Sequence, residues 1–222
     1  MIKYKPPHRF QFRISALMVV LTMTGVVMSF VSNRLRQREK QIAGIEYFTH
    51  NGFSVEYEHY PDIAEMTPPL SGTYCRNVEE LLGVPRLFGK DFTWRITALR
   101  YDGGAKGEVD WTKLRSFPHL RILFAGSCEQ WNEAAVAEVA KLNDIAIVHV
   151  SSTSLDDIAV ELLSHAKRLC DLDISNTQVT DESVGSLSQM RNLTSLDLHG
   201  TRVSKKGLEN LRIRLNGCDI FY

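Results

Sequence analysis

The chain has 222 residues, of which 44% are hydrophobic, with 26 basic and 26 acidic side chains. This composition is typical of a folded protein and excludes disordered, collagen-like and disulfide-rich chains. The charge is unevenly spread, because residues 1–40 hold eight basic side chains and one acidic side chain, whereas residues 41–222 carry a net charge of −7. Because residues 41–222 are acidic, they cannot neutralise the phosphates of a nucleic acid, and the sequence therefore predicts no nucleic-acid partner.

The first predicted element is a transmembrane helix over residues 14–33. These 20 consecutive residues carry no charge, and as a helix they would span roughly 30 Å, the hydrocarbon thickness of a bilayer. Four basic side chains lie in the tail 1–13 and four more in residues 34–40, where lipid headgroups would lie. The alternatives are a cleaved signal peptide, which has a shorter apolar run, and a buried core helix.

The segment that follows the predicted span indicates how the protein is oriented and how its folded part begins. Because a short N-terminal tail usually stays in the cytoplasm, we predict a single-pass membrane protein whose C-terminal domain lies outside the cytoplasm. Residues 34–51 predict a basic stalk helix, which Asn51-Gly52 ends in a left-handed conformation. Residues 52–94 are interpreted as a capping region, with a strand at 53–58, a loop at 60–75 and a short helix at 78–82.

From about Arg95 the sequence repeats itself every 24 or 25 residues. Each unit combines a short strand with inward apolar residues and one buried helix face, so single units cannot fold alone and must stack around a continuous core. We predict five repeats and a terminal strand over residues 95–222. The matching positions of two successive units are Leu169, Leu172, Ile174, Thr177, Val179, Val184 and Leu187, then Leu193, Leu196, Leu198, Thr201, Val203, Leu208 and Leu211.

The repeated pattern LxxLxLxxTxVTDxxLxxL resembles the bacterial leucine-rich repeat in which threonine takes the place more often held by asparagine. Together with the basic tail, the apolar segment and the arginine-rich helix, it resembles the small membrane-anchored leucine-rich repeat proteins of planctomycete bacteria. The resemblance implies an α/β fold, a short leucine-rich repeat solenoid behind an N-terminal transmembrane helix. It also implies a non-catalytic protein-interaction module without a cofactor. The first two repeats depart from the pattern, because Gly104 and Cys128 replace threonine.

The outward residues of the strands predict a binding surface on the concave sheet. Repeats two and three place Ile122, Phe124 and Ile147 outward, and an apolar patch rimmed by polar groups marks a contact site. The alternative is that the 60–75 loop or the stalk helix covers this patch within the chain. The candidate partner-binding face comprises Ile122, Phe124, Ile147, His149, Asp171, Asp173, Asp197 and His199.

A catalytic or metal-binding role for the same face is a weaker hypothesis. Asp173 and Asp197 would stand on adjacent strands with histidines nearby, which would suit a carboxylate pair or a divalent metal. A solvated polar face is the simpler interpretation, because no P-loop, HExxH motif or nucleophile elbow accompanies these residues. The sequence therefore predicts no enzyme, no metal site and no cofactor. The predicted partners are the lipid bilayer and an unidentified protein, and a structural or self-assembly role in the cell envelope stays open.

Overall fold

The structure is a computed structural model of the chain, and it describes residues 8–58, 95–104 and 107–222. In the first helix the described side chains begin at Thr22. The chain divides into two units, Met1–Lys40 and Gln41–Tyr222, each with its own internal contacts. The predicted loop at 60–75 and the predicted short helix at 78–82 lie outside the described residues.

The first unit consists of most of the helix α1, which runs over His8–His50. The side chains of residues 22–30 are all exposed, including the large apolar residues Met23, Val26 and Phe30. Among the residues whose side chains the structure describes, no helix has the length and apolar character that crossing a membrane requires. Residues 14–21 of the predicted transmembrane segment lie outside those residues.

The last residues of α1 belong to the second unit, where Phe48 is fully buried. The helix ends at His50, and Gly52 follows with a φ of +80°, a left-handed conformation that glycine adopts without steric cost. The strand β1 occupies Phe53–Glu58, the residues whose alternation predicts a strand. The division between the two units, at Lys40 and Gln41, therefore falls inside the predicted stalk helix of residues 34–51.

In the described part of the chain, seven strands form one sheet in chain order. β1 pairs with β2 in an antiparallel sense, and every later pair of neighbours is parallel. The later strands are β2 (Arg95–Tyr101), β3 (Ile122–Phe124), β4 (Ile147–His149), β5 (Asp171–Asp173), β6 (Ser195–Asp197) and β7 (Asp219–Phe221). Between successive strands from β2 to β7 the chain returns through one or two short helical segments, and this architecture confirms the predicted repeat solenoid.

Among the described residues, the returning segments are two 3₁₀ helices and four short α-helices. In chain order they are η1 (Trp111–Ser116), α2 (Glu133–Ala140), α3 (Asp157–Leu163), η2 (Asp181–Ser183), α4 (Val184–Leu187) and α5 (Lys205–Arg214). Asn132, Asp156 and Ser204 cap the N-termini of α2, α3 and α5, each accepting a hydrogen bond from a backbone N–H three residues later. Such caps stabilise a short helix that propensity alone would not hold.

The core lies between the sheet and these helical segments. The middle residues of β3 to β6 are fully buried, whereas the residues on either side of each are partly exposed. The fully buried residues are Leu123, Val148, Leu172 and Leu196. They belong to one hydrophobic cluster that includes Val160 and Leu163 of α3. The alternation read from the sequence therefore assigns the inward and outward sides of the strands correctly.

Three threonines at equivalent positions of successive repeats close the turn that follows a strand. The hydroxyls of Thr153, Thr177 and Thr201 each donate to the backbone carbonyl three residues earlier, at 2.6–2.7 Å. This bond holds the polypeptide where it leaves the sheet. The residues that precede these threonines all have a positive φ: Ser152, Asn176 and Gly200.

Candidate functional site

The outward side chains of the parallel strands form one surface, here called the outer sheet face. The strand register aligns them in two columns, so that each residue stands beside its counterparts in the neighbouring repeats. One column is Ala98, Ile122, Ile147, Asp171, Ser195 and Asp219, and the other is Arg100, Phe124, His149, Asp173, Asp197 and Phe221. All the candidate residues predicted from the strands lie on this face, and His199 lies two residues beyond the end of β6.

The N-terminal half of the outer sheet face is built around Phe124. The guanidinium carbon of Arg100 lies 4.3 Å from the centre of the Phe124 ring, within the range of a cation–π contact. On the other side the imidazole of His149 meets the Phe124 ring edge to face, with the ring centres 5.0 Å apart. Phe124 is thus held between a cation and an imidazole, and it remains partly exposed.

His149 connects this aromatic contact to the next strand. Its Nε2 atom lies 3.3 Å from Oδ1 of Asp171, and both side chains are about one-third exposed. The angles do not complete a hydrogen bond, and Nε2 is shielded from solvent. The contact between His149 and Asp171 is therefore electrostatic and is not a hydrogen bond. At the other end of the row, Arg100 lies 3.7 Å from the carboxylate of Glu56 on β1, so the contacts extend from β1 to β5.

Two isoleucines complete the apolar part of this half. Ile122 and Ile147 occupy paired positions on β3 and β4 and are partly exposed, beside Phe124 in the next column. Ala98 stands at the same position on β2 but is almost fully buried, with 1% of its surface exposed. The apolar patch of the outer sheet face therefore consists of Ile122, Phe124 and Ile147, and it ends at β2.

The C-terminal half of the outer sheet face is acidic. Oδ1 of Asp173 accepts hydrogen bonds from the backbone N–H and the hydroxyl of Ser175, at 2.9 and 2.7 Å. Oδ1 of Asp197 accepts from the backbone N–H of His199 at 2.9 Å and contacts its Nδ1 at 2.7 Å. Each aspartate thus uses one oxygen to fix the turn after its strand. Oδ2 of each has no hydrogen bond to the described residues.

The predicted residues therefore separate into two groups. Phe124, His149 and Asp171 contact one another in a row, whereas Asp173 and Asp197 stand in register and bind their own turns. Within the described part of the chain, no group of three His, Cys, Asp or Glu side chains is placed to hold a metal ion. The metal hypothesis thus gains no support from these residues.

Sequence reasoning missed two residues of this surface. Arg100 is not among the predicted residues, and its cation–π contact with Phe124 was not anticipated, because a repeat pattern aligns positions and does not report side-chain direction. Asp219 extends the acidic column by one strand and is exposed. The signal that would have found it is the repeat register itself, since Asp219 lies 24 residues after Ser195 and 48 after Asp171.

Two described cysteine thiols near the strands are not activated for nucleophilic chemistry. Burial, followed by the carboxylates of Asp219 and Asp171, raises the pKa of the Cys218 thiol. Burial likewise raises the pKa of Cys128. Since the thiolate is the reactive form, a raised pKa makes both groups less nucleophilic at neutral pH.

No protein-family model matches the chain, and no curated protein does either. Among solved structures, the actin-binding site 2 of leiomodin-1 is 13% identical with a TM-score of 0.40, and the match covers 47% of this chain and 71% of that one. An internalin from Listeria monocytogenes is 19% identical with a TM-score of 0.38, covering 51% and 37%. A leucine-rich repeat protein from Leptospira interrogans is 17% identical with a TM-score of 0.34, covering 55% and 41%. This chain thus spans about two-fifths of the length of the two bacterial proteins.

Proposed function

We propose that the protein is a non-catalytic protein-interaction module that binds a partner through the outer sheet face. The observation that carries this proposal is the apolar patch of Ile122, Phe124 and Ile147, partly exposed on two adjacent strands and rimmed by charged groups. Most side chains on a solvated sheet face are polar, so a clustered apolar group with a polar rim is the pattern of a contact surface.

The surface is also well suited to binding because its backbone is held in place. The residues beneath it, Leu123 and Val148, are fully buried, and parallel pairing joins each strand to its neighbours. Arg100 and His149 fix the Phe124 ring from both sides. An anchor that is ordered before binding loses less conformational entropy when a partner arrives.

The test replaces Phe124 and follows both stability and capture. The full-length chain, extracted in mild detergent, is used to capture partners from a membrane lysate, beside the variant Phe124→Ser. We expect Phe124→Ser to abolish capture while lowering the free energy of unfolding by only about 1 kcal/mol, the scale of a partly exposed cation–π contact. Ile158→Ser is the matched control, because Ile158 on α3 is 58% exposed and lies off the outer sheet face.

Three outcomes would argue against the proposal. A loss of about 3 kcal/mol in Phe124→Ser, as for truncation of a buried aromatic, would mean that the chain itself covers the patch. Equal loss of capture in Ile158→Ser would place the contact elsewhere. Self-association in light scattering that Phe124→Ser removes would favour the self-assembly role over a separate partner.

We also propose that residues 14–33 anchor the protein in a membrane, with the repeats outside the cytoplasm. The support is the uncharged stretch between two basic segments and the exposure of the described apolar side chains at residues 22–30. A helix that is apolar on all sides requires a covering of lipid or protein. Carbonate extraction tests this proposal: the full-length chain is expected in the membrane pellet with its N-terminus intact, and recovery in the supernatant would contradict it.

A further inference from the structure

The outer sheet face changes character between β4 and β5. On β2, β3 and β4 its six outward residues are Ala98, Arg100, Ile122, Phe124, Ile147 and His149. On β5, β6 and β7 four of the six outward residues are aspartates, namely Asp171, Asp173, Asp197 and Asp219. The other two are Ser195 and Phe221, so this half carries no lysine or arginine at these positions. An apolar half therefore adjoins an acidic half on one continuous sheet.

The aspartates lie close enough to repel one another. Asp173 and Asp197 are directly paired in the register, and neighbouring strands are about 4.8 Å apart. Like charges at paired positions of a sheet are destabilising. Asp197 has about one-third of its side chain exposed, so solvent screens this repulsion incompletely. A cation placed between the two carboxylates would relieve it.

The geometry favours an ammonium or guanidinium group as that cation. Asp173 and Asp197 each commit Oδ1 to their own turn, and the Oδ2 of each has no hydrogen bond to the described residues. Such carboxylate oxygens suit lysine or arginine side chains, whose long flexible stems reach them from a bound segment and whose N–H groups donate charge-assisted hydrogen bonds. Phosphates and acidic segments would be repelled by the same carboxylates.

We infer that the outer sheet face binds an extended, cationic protein segment in one orientation. An apolar or aromatic side chain of the segment lies on Ile122, Phe124 and Ile147, and its lysine or arginine side chains lie on Asp173 and Asp197. This inference rests on the proposed function and adds the chemistry of the partner. Complementary charge steers such a segment to the face, while the apolar patch fixes its register.

The test uses the full-length chain in detergent and two fluorescein-labelled synthetic peptides. Both peptides contain one tryptophan followed by alternating charged residues, which are lysines in the first and glutamates in the second. Fluorescence anisotropy should show the lysine peptide binding at least about tenfold more tightly than the glutamate peptide. The double variant Asp173→Asn with Asp197→Asn should weaken binding of the lysine peptide by about tenfold. Asparagine retains an Oδ1 acceptor for each turn, so the fold should persist.

The matched control removes two acidic charges from the helical side. Glu161→Gln on α3 with Glu209→Gln on α5 changes exposed residues of the helices, and this variant should bind the lysine peptide as the wild type does. Equal binding of the two peptides, an unchanged affinity in the aspartate variant, or an equal loss in the control would overturn the inference. The single variant Asp173→Asn replaces the double variant if thermal unfolding shows that the latter is not folded.

The two proposals can fail separately. If Phe124→Ser abolishes partner capture but the aspartate variant does not, the interaction module stands and the cationic partner is wrong. If the aspartate variant loses the lysine peptide while Phe124→Ser still captures its partner, the acidic half is a cation-binding surface and the proposed contact site is misplaced.

Discussion

The first two repeats and the last three are held together by different kinds of contact. In the N-terminal repeats an aromatic cluster fills the core, with neighbouring ring centres 5.4–6.3 Å apart. Its members are Phe48, Phe53, Trp111, Phe117 and Trp131. Aromatic rings bury a large area and pack in many geometries. These repeats therefore do not depend on a strictly repeated sequence.

A charged link joins the same two repeats on the helical side. Glu138 of α2 accepts two hydrogen bonds from the guanidinium of Arg115 at 2.7 and 2.8 Å, and one from Lys141 at 2.8 Å. The Glu138 side chain is only 8% exposed, whereas Arg115 is 66% exposed. These hydrogen bonds, first from Arg115 and then from Lys141, lower the pKa of Glu138 to about 2.

The C-terminal repeats are joined instead by aspartates that bind the cap of the next repeat. Asp157 accepts hydrogen bonds from the backbone N–H and hydroxyl of Thr180, at 2.9 and 2.7 Å, and from the hydroxyl of Ser183. One repeat later, Asp181 accepts from the N–H and hydroxyl of Ser204 at 2.7 and 2.6 Å. Each link pairs an aspartate with a hydroxyl side chain 23 residues later, so the same contact recurs at the spacing of the repeat.

Substitutions in the hydrophobic core are expected to cause the largest losses of stability. They should also show which neighbouring repeats unfold together. Leu123→Ala and Leu196→Ala both truncate fully buried strand residues, and each should lower the free energy of unfolding by roughly 2–5 kcal/mol. Because repeats couple mainly to their neighbours, hydrogen exchange should show Leu196→Ala loosening β6 and β7 first. An unchanged thermal midpoint for Leu196→Ala would mean that its side chain does not face the core.

The second prediction concerns the charged link of the N-terminal repeats. Glu138→Gln should lower the free energy of unfolding by about 2 kcal/mol at pH 7, since hydrogen bonds to a charged group are lost. Because the pKa of Glu138 is about 2 in the folded protein and ordinarily 4.5, the wild type's advantage is present above pH 4.5. It should shrink as the pH falls from 4.5 to 2.

Chemical unfolding at several pH values measures this advantage. Glu161→Gln, an exposed position on α3, serves as the control and should not change the pH profile. A Glu138→Gln deficit that stays constant down to pH 2 would show that the carboxylate is not selectively stabilised in the folded state.

The smallest expected effect tests the aspartate links of the C-terminal repeats. Burial acts to raise the pKa of Asp157, yet hydrogen bonds from Ser183 and Thr180 outweigh it and leave the pKa below its ordinary value. Asp157→Ala should therefore lower the free energy of unfolding by about 1–2 kcal/mol. Asp181→Ala removes the equivalent, more exposed link and should have a smaller effect in urea unfolding. A larger effect for Asp181→Ala would contradict the idea that burial strengthens these links.

The repeat register and the two sides of the sheet follow from the amino-acid sequence alone. The spacing of apolar residues by two in a strand and by three in a helix is a local consequence of backbone geometry. For this reason Leu172 and Leu196 could be placed inward, and Asp173 and Asp197 outward, without any knowledge of their neighbours. The threonine bonds are also local, because each hydroxyl reaches a carbonyl only three residues away.

The contacts between side chains of different repeats, in contrast, depend on tertiary packing. Phe48 and Trp131 share a cluster although 83 residues separate them along the chain, and no local period encodes such a pairing. Side-chain rotamers, which are set by packing in the folded protein, bring Arg100 onto Phe124 and His149 beside Asp171. Register places residues side by side, but the direction of a long side chain depends on the contacts that the folded chain provides.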